Sequence, residues 1–223
     1  MPEATTGTFT QAPAAIAFST LYARVQNYVL APSDTDVATI AKEGINEAIS
    51  RLNTRRWNWA RHHADITLVA GTQEYALSAT FKGPRAAELL DSTGEVVSRL
   101  EFLDPKELDY LYPDRHSQGY PSHYTIFNEF ANGMLTLSAT PSSGFVTQYP
   151  KIRVRFFRRI PYLSADADLF YGPTEAETYL VWYARANVAA HWALDKIGFA
   201  EKRAEELWTL LVRDDVSKET GDF

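Results

Sequence analysis

The chain has 223 residues, 45% of them hydrophobic and 13% aromatic, and its 28 acidic residues against 22 basic ones give a net charge of −6. This length fits one domain or one domain with a large insertion, and the apolar content excludes wholesale disorder. The acidic balance is unusual for a protein that grips nucleic acid along an extended surface, and the lack of cysteine excludes disulfides and thiol catalysis.

No apolar run approaches the roughly 20 residues that a membrane-spanning helix needs. The first residues also lack the positive start and apolar stretch of a secretory signal. We therefore expect a soluble protein that is made in a cytoplasm and has no membrane partner.

The N-terminal quarter has helical spacing. Residues 1–15 are small, polar and proline-containing, which predicts a flexible arm. A first helix is predicted from residue 16 to about residue 30. A second helix has an apolar stripe from Val37 to Leu52, in steps of three and four. Gly44 lies inside that stripe and predicts the close approach of another helix.

The middle, residues 63–171, alternates in pairs and predicts a β-rich insertion. Its clearest strand runs from Lys151 to Phe156. Asp104 followed by Pro105 predicts the start of one short helix, and residues 140–150 are predicted to form a loop. At the junction before the insertion, Trp57 and Trp59 could stack on nucleic-acid bases, but we favour a structural role in which they cover the core.

The C-terminal part returns to helical spacing. Thr174 and Glu177 predict a capping box that begins a helix, and Gly198 predicts its end. A last helix is predicted to carry Leu207, Trp208 and Leu211 on one side. Residues 214–223 are predicted to be a C-terminal tail, polar except for its final residue, Phe223.

These patterns predict an α+β fold. Its body is a helical bundle of two N-terminal and two C-terminal helices, residues 16–62 and 172–213. The insertion, residues 63–171, is predicted to be an antiparallel β domain that carries one short helix.

The sequence contains no motif for catalysis, cofactor binding or metal binding. The 11 glycines are never closer than about 11 residues, whereas phosphate-binding loops and nucleophile elbows need two or more close together. The five histidines lack metal-ligand spacing. Carboxylate pairs such as Asp166/Asp168 and Asp214/Asp215 resemble solvated surface. We therefore expect no enzyme and no cofactor, although scattered carboxylates leave a hydrolase as a weak third hypothesis.

A basic strand face is the remaining candidate for binding. Three cations are predicted to share this face, and two arginines follow them: Lys151, Arg153, Arg155, Arg158 and Arg159. Such a face could contact phosphate. It could also be the wet side of an antiparallel sheet or meet an acidic neighbouring subunit, and we favour these structural interpretations.

Several segments in order are similar to one known family. They are the helix from Ile45 to Leu52 that leads to the two tryptophans, the turn and strand from Ala70 to Leu77, the segment from Gly119 to Tyr124, and the closing helix pair. From Ser19 to Arg213, the chain resembles the head–tail adaptor proteins of tailed phages. These proteins are also called head-to-tail connectors or tail-tubular-A-like gatekeepers.

The resemblance implies a structural virion protein of the phage neck, assembled in the host cytoplasm as a dodecameric ring beneath the portal. Such a ring docks the tail or nozzle and passes double-stranded DNA during ejection without sequence-specific contact. An acidic chain suits a channel that must not hold DNA. Within this hypothesis, the candidate portal contacts are Leu207, Trp208, Leu211 and Phe223. The alternative is a nucleic-acid-binding module that uses Lys151, Arg153 and Arg155.

Overall fold

The computed structural model describes residues 5–6, 15–114, 116–127 and 133–219. The described residues form two compact units. The sheet unit contains residues 5–6 and 61–159, and the helical unit contains residues 15–60 and 160–219.

Six α-helices lie in the described ranges: α1 Phe18–Tyr28, α2 Thr35–Leu52, α3 Pro105–Leu111, α4 Ser143–Gln148, α5 Thr174–Trp192 and α6 Ile197–Glu219. Short 3-10 helices at Asn58–Ala60 and Leu194–Lys196 precede β3 and α6. None of these helices is long and apolar enough to cross a bilayer.

The strands of the same ranges are β1 Thr5–Thr6, β2 Ala15–Ala17, β3 Arg61–Thr67, β4 Glu74–Ala76, β5 Phe81–Leu90, β6 Val96–Phe102, β7 Gln118–Gly119, β8 His123–Phe127, β9 Met134–Leu137, β10 Thr140–Pro141, β11 Lys151–Arg158 and β12 Leu169–Tyr171. Strand β11 confirms the strand predicted from period-two alternation.

The helical unit packs α1, α2, α5 and α6 around one apolar core. Helices α2 and α5 approach so closely that a Cβ added at Gly44 would lie 3.0 Å from the Ala184 Cα, which confirms the predicted close approach. The side-chain amide of Asn53 holds the returning chain by donating to the Ile160 carbonyl (2.8 Å) and accepting from its N–H (2.9 Å). Asn46 does the same with Leu163 at 2.9 Å.

The sheet unit is built on an eight-stranded sheet with the order β1-β3-β11-β5-β6-β8-β9-β4. All neighbours in it are antiparallel except β6 and β8, which are parallel. The inward side chains of β3 and β11, including Ile66, Val154 and Phe156, are buried in a second apolar core. Helix α3 lies in the connection from β6 to β8, which explains how these strands can run in the same direction.

The predicted helical bundle with an inserted antiparallel β domain is wrong. The chain is α+β, but the sheet dominates a core of its own, is mixed in direction, and is accompanied by two short helices, α3 and α4. Strand β12 also pairs with β2 in the helical unit. Alternation along the chain indicates strands but gives neither their partners nor their direction, which depend on residues far apart in sequence.

Two predicted helix starts had different outcomes. The start of α3 is confirmed: Asp104 is the N-cap, its carboxylate accepts from the Lys106 N–H at 3.0 Å, and Pro105 occupies the first turn. The capping box at α5 is wrong, because the N-cap is Pro173 and no side chain caps it. Glu177 instead lies buried, with a carboxylate oxygen 4.0 Å from the Arg24 guanidinium.

Replacing Gly44 by alanine tests the helix contact. Alanine favours a helix over glycine by about 1 kcal/mol, but its methyl group would press on the α5 backbone at Ala184. We expect Gly44→Ala to lower the free energy of unfolding by about 1–2 kcal/mol net, as overpacked cores do. Urea denaturation monitored by circular dichroism measures this change.

The matched control is Gly198→Ala in α6, where an added Cβ would meet no heavy atom within 4 Å beyond its chain neighbours and the backbone of its own helix. We expect this variant to be as stable as the parent chain or slightly more stable. A Gly44→Ala protein at least as stable as Gly198→Ala would contradict the close packing of α2 on α5.

Candidate functional site

The basic face of β11 is largely neutralised by its neighbours within the chain. Arg153 makes a bidentate pair with Asp65, with Nε–Oδ1 and Nη2–Oδ2 distances of 2.7 and 2.8 Å. Arg155 Nε donates to Glu88 Oε2 at 2.9 Å. Lys151 is exposed on the same strand. Two of the three cations predicted to share this face therefore have carboxylate partners.

The pair of Asp65 and Arg153 belongs to a row of alternating charges across the sheet. In register, Asp65 of β3 lies opposite Arg153 of β11, Arg153 opposite Glu88 of β5, and Glu88 opposite Arg99 of β6. Arg99 Nη2 lies 3.2 Å from Glu88 Oε1. The Glu88 side chain is only 1% exposed, so its charge is compensated by arginines on both sides. The row stabilises the sheet and leaves these arginines less free to bind phosphate.

The two arginines after this row are half-buried. Arg158 lies near His62, whose pKa is lowered to about 4, chiefly by burial and further by the positive charge of Arg158. His62 is therefore neutral at physiological pH. The backbone N–H of Arg159 donates to the Thr80 carbonyl at 2.6 Å. A contact of Arg158 or Arg159 with phosphate or another subunit stays a prediction.

The pair between Asp65 and Arg153 makes stability depend on pH. The hydrogen bonds from Arg153 lower the pKa of Asp65 below its ordinary value of 3.8. The stabilisation is thus fully present above that ordinary value and is lost as pH falls through the lower pKa of the folded state.

We expect Asp65→Asn to reduce the free energy of unfolding by about 1–2 kcal/mol at pH 7, with the difference from the parent chain shrinking as the pH falls below 3.8. Urea titrations of both chains at pH 7 and at a pH below 3.8 measure this difference. Glu43→Gln is the control, because it removes a carboxylate that is exposed on α2. An Asp65→Asn effect that stayed constant down to the acid end would contradict the charge pair.

The two tryptophans of the junction lie in the helical unit. Trp57 is buried, its Nε1 donates to the Leu52 carbonyl at 2.6 Å, and its ring meets Trp208 edge to face at 5.6 Å. Trp59 stacks on Trp57 at 6.1 Å and contacts Phe170 at 6.4 Å. These rings face the core of the unit, an arrangement that offers little surface for stacking on bases.

The apolar side of the C-terminal helix α6 packs into the core of the helical unit. Leu207 and Leu211 are buried, and Trp208 packs on Tyr179 beneath the Arg51 guanidinium, 4.6 Å from its ring. These side chains serve the core of their own unit, so a contact with a portal stays a prediction. Phe223 lies outside the described residues.

Asp215 is a structural residue that the sequence did not reveal. The Asp214/Asp215 pair was interpreted as solvated surface, but helix α6 continues to Glu219 and Asp215 is buried. Asp215 Oδ1 accepts from the Asn58 N–H at 2.7 Å, and Asn58 Nδ2 donates to the Asp215 carbonyl at 2.9 Å. The end of α6 is thereby fixed to the turn that follows Trp57.

Asp215→Ala removes the acceptor for the Asn58 N–H, and we expect it to lower the free energy of unfolding by about 1–3 kcal/mol because a buried donor is left without its partner. Chemical denaturation measures the change. Asp214→Ala is the matched control, because the Asp214 side chain is half exposed and its ion pair with Arg213 is long, at 3.7 Å. Equal effects of the two substitutions would contradict the anchoring role of Asp215.

One end of the helical unit carries a large exposed apolar surface. Leu30 is 83% exposed, Leu194 72% and Phe199 63%. The Trp182 ring joins them, because it contacts Tyr28 at 5.6 Å and Phe199 at 5.5 Å. We call these five residues the helix-end surface. Exposed apolar side chains grouped at one end of a unit are typical of contact sites for proteins.

Cations border the helix-end surface. The Arg185 guanidinium lies 4.4 Å from the Trp182 ring and 5.0 Å from the Tyr28 ring, and its Nη2 donates to the Arg24 carbonyl. Burial lowers the pKa of Arg185. Lys196 Nζ donates to the Tyr28 carbonyl at 3.3 Å. Tryptophan, tyrosine and arginine are the residues enriched in the hot spots of protein interfaces.

Leu30 adopts a strained backbone conformation on this surface. Its φ is +58°, and it is the non-glycine residue with positive φ in the described part of the chain. At this position, just after a helix, glycine would adopt the same backbone conformation with less strain. A leucine here bears a conformational cost and exposes an apolar side chain. Such a combination is expected where a partner covers the side chain in the assembled state.

A second exposed surface lies on the sheet unit, around α3. Tyr110 is 85% exposed and Leu111 55%, and Phe102 at the end of β6 is also exposed. Glu107 and Asp109 are exposed on the same helix. We call these five residues the α3 surface. It combines three exposed apolar side chains with two carboxylates, and Lys106 lies beside Glu107, Tyr110 and Leu111.

A hydrogen-bonded cluster holds the end of α3 against β8. His123 Nδ1 lies 2.8 Å from both the Tyr112 and the Ser122 hydroxyls, and His123 Nε2 lies 3.3 Å from Glu101 Oε2. Two hydroxyls share one ring nitrogen, and the Glu101 side chain is largely in solvent. The cluster positions α3 and gives no support to a hydrolase. In the described part of the chain, no three His, Cys, Asp or Glu side chains come together as metal ligands.

Comparison with known families decides the class of protein. The family model described as SU10 adaptor protein matches residues 16–219. The chain belongs to the SU10 adaptor protein family. The resemblance to phage head–tail adaptors is thus confirmed at the level of a phage adaptor family, and the chain is a structural adaptor of a phage virion. No curated protein matches this adaptor.

Proposed function

We propose that this adaptor forms a ring in the neck of the virion, which joins the portal to the tail or nozzle and surrounds the path of double-stranded DNA. The helix-end surface carries this proposal. It combines three strongly exposed apolar side chains with a cation that packs against two aromatic rings, on a chain that belongs to an adaptor family. A surface of this composition is typical of the buried centre of a protein interface.

The charges support passage of DNA rather than its capture. The net charge is −6, and Arg153 and Arg155 already have carboxylate partners within the sheet. A channel wall with few free cations would hold a polyanion weakly, so DNA could move through it. The nucleic-acid-binding alternative depended on these arginines, and it loses support.

Electron microscopy of the adaptor mixed with the portal protein of its own phage tests the proposal. We expect one ring of adaptor copies bound to the portal, twelve if the family resemblance extends to copy number. Free adaptor is expected to be monomeric by light scattering and to assemble on the portal. Failure of the adaptor to bind portal and to form any closed ring would overturn the proposal.

We further propose that the C-terminal segment contacts the portal, through residues after α6 and the exposed side of α6 near Trp208. Deleting residues 220–223, including Phe223, leaves the Asp215 anchor in place. We expect this deletion to weaken portal binding in a pull-down while the melting temperature stays unchanged. Deleting residues 214–223 is the contrasting variant, since it also removes Asp215 and should lower the melting temperature. Unchanged portal binding by the shorter deletion would remove the C-terminal residues from the interface.

A further inference from the structure

The two exposed apolar surfaces of the chain carry opposite charges. The helix-end surface is bordered by Arg24, Arg185 and Lys196, and the nearby acidic residues are Glu177, 4.0 Å from Arg24, and Asp195, so that cations outnumber carboxylates. The α3 surface lies in residues 101–111, which contain four acidic residues and one lysine, 1 − 4 = −3. Each surface thus has the charge that would attract the other.

We propose that the helix-end surface of one copy binds the α3 surface of the next copy, and that this contact builds the ring. The inference rests on the proposed function. Leu30, Leu194 and Phe199 would pack against Tyr110 and Leu111 of the neighbouring copy. The bordering cations would face its acidic residues.

Contact between like surfaces is disfavoured by their charges. Two helix-end surfaces would bring Arg24 and Lys196 of one copy against the same cations of another, and two α3 surfaces would bring Glu107 against Glu107. Contact between unlike surfaces avoids this repulsion. A contact between two different surfaces repeats from copy to copy and forms a ring when the rotation between copies closes, whereas a contact between like surfaces stops at a dimer.

The chemistry of the helix-end surface also favours a protein over DNA as its occupant. Its most exposed side chains are aliphatic or aromatic, and the half-buried Arg185 packs against two rings rather than extending into solvent. A DNA backbone is recognised chiefly by extended cations. An apolar patch with an acidic border, such as the α3 surface, matches both the apolar centre and the charge.

Charge reversal with rescue tests the pairing. We expect the variant Arg24→Glu with Lys196→Glu, and the variant Glu107→Lys with Asp109→Lys, each to weaken ring assembly on the portal at least ~10-fold, because like charges then meet. The chain carrying all four substitutions should recover most of the assembly. Circular dichroism melting curves confirm that each variant is folded. Equal loss in the fourfold variant and in both double variants would overturn the pairing.

Crosslinking gives a second measurement that does not disturb the charges. The chain has no cysteine, so Phe199→Cys and Tyr110→Cys introduce single, exposed thiols without background. With a short bismaleimide reagent, assembled rings of the doubly substituted chain should give a ladder of covalent multimers. Each single variant should give none. Phe199→Cys with Val97→Cys is the control, because Val97 is exposed on β6 outside the α3 surface.

The outcomes separate this inference from the proposed function. If parent rings form on the portal but the Phe199–Tyr110 ladder is absent and the charge reversals do not weaken assembly, the pairing is wrong and the ring stands. If the parent adaptor forms no ring, both fail. A covalent dimer without higher multimers would show contact between like surfaces and would also overturn the pairing.

Discussion

The helical unit depends on the contact between α2 and α5 at Gly44. Because this residue has no side chain, the two helices approach to the distance at which a Cβ at Gly44 would press on the Ala184 backbone. Helix α5 then provides Trp182 and Arg185 on another of its sides, where they meet Tyr28 of α1. The helix-end surface is therefore positioned by a glycine on a different helix, which contacts α5 at the residue next to Arg185.

The sheet unit solves a different problem, which is how to carry many charges on one side of a sheet. Cross-strand pairs of opposite charge stabilise a sheet, and like charges directly opposite destabilise it. The row from Asp65 through Arg153 and Glu88 to Arg99 alternates in sign at every strand. The burial of Glu88 is tolerated because its carboxylate pairs with Arg155 on one neighbouring strand and with Arg99 on the other.

Features that depend on nearby residues could be predicted from the sequence. The stripe of α2 with Gly44, the alternation of β11 and the Asp104 cap of α3 all follow from local spacing. The family could also be recognised, because several short segments keep their order along the chain. In each of these cases, the information lies within about two turns or one strand.

Features that depend on distant residues could not be predicted. Asp215 is indistinguishable from Asp214 in sequence, and its role appears only when Asn58, 157 positions away, donates to it. The partner of Arg153 is set by the register between β3 and β11, so the strand alone presented an uncompensated basic face. Helix α4 lies inside residues 140–150, for which a loop is predicted, and the Ser142 hydroxyl, which accepts from the Phe145 N–H, begins it.

The strained leucine at the end of α1 has a thermodynamic consequence. In the free chain, Leu30 bears the cost of a left-handed backbone and of an apolar side chain in water, and only a bound neighbour can offset the second. Coverage of this side chain then links folding to self-association by mass action, because a partner that binds only the folded state stabilises it. The adaptor is therefore expected to melt at a higher temperature in the assembled ring than as a free monomer.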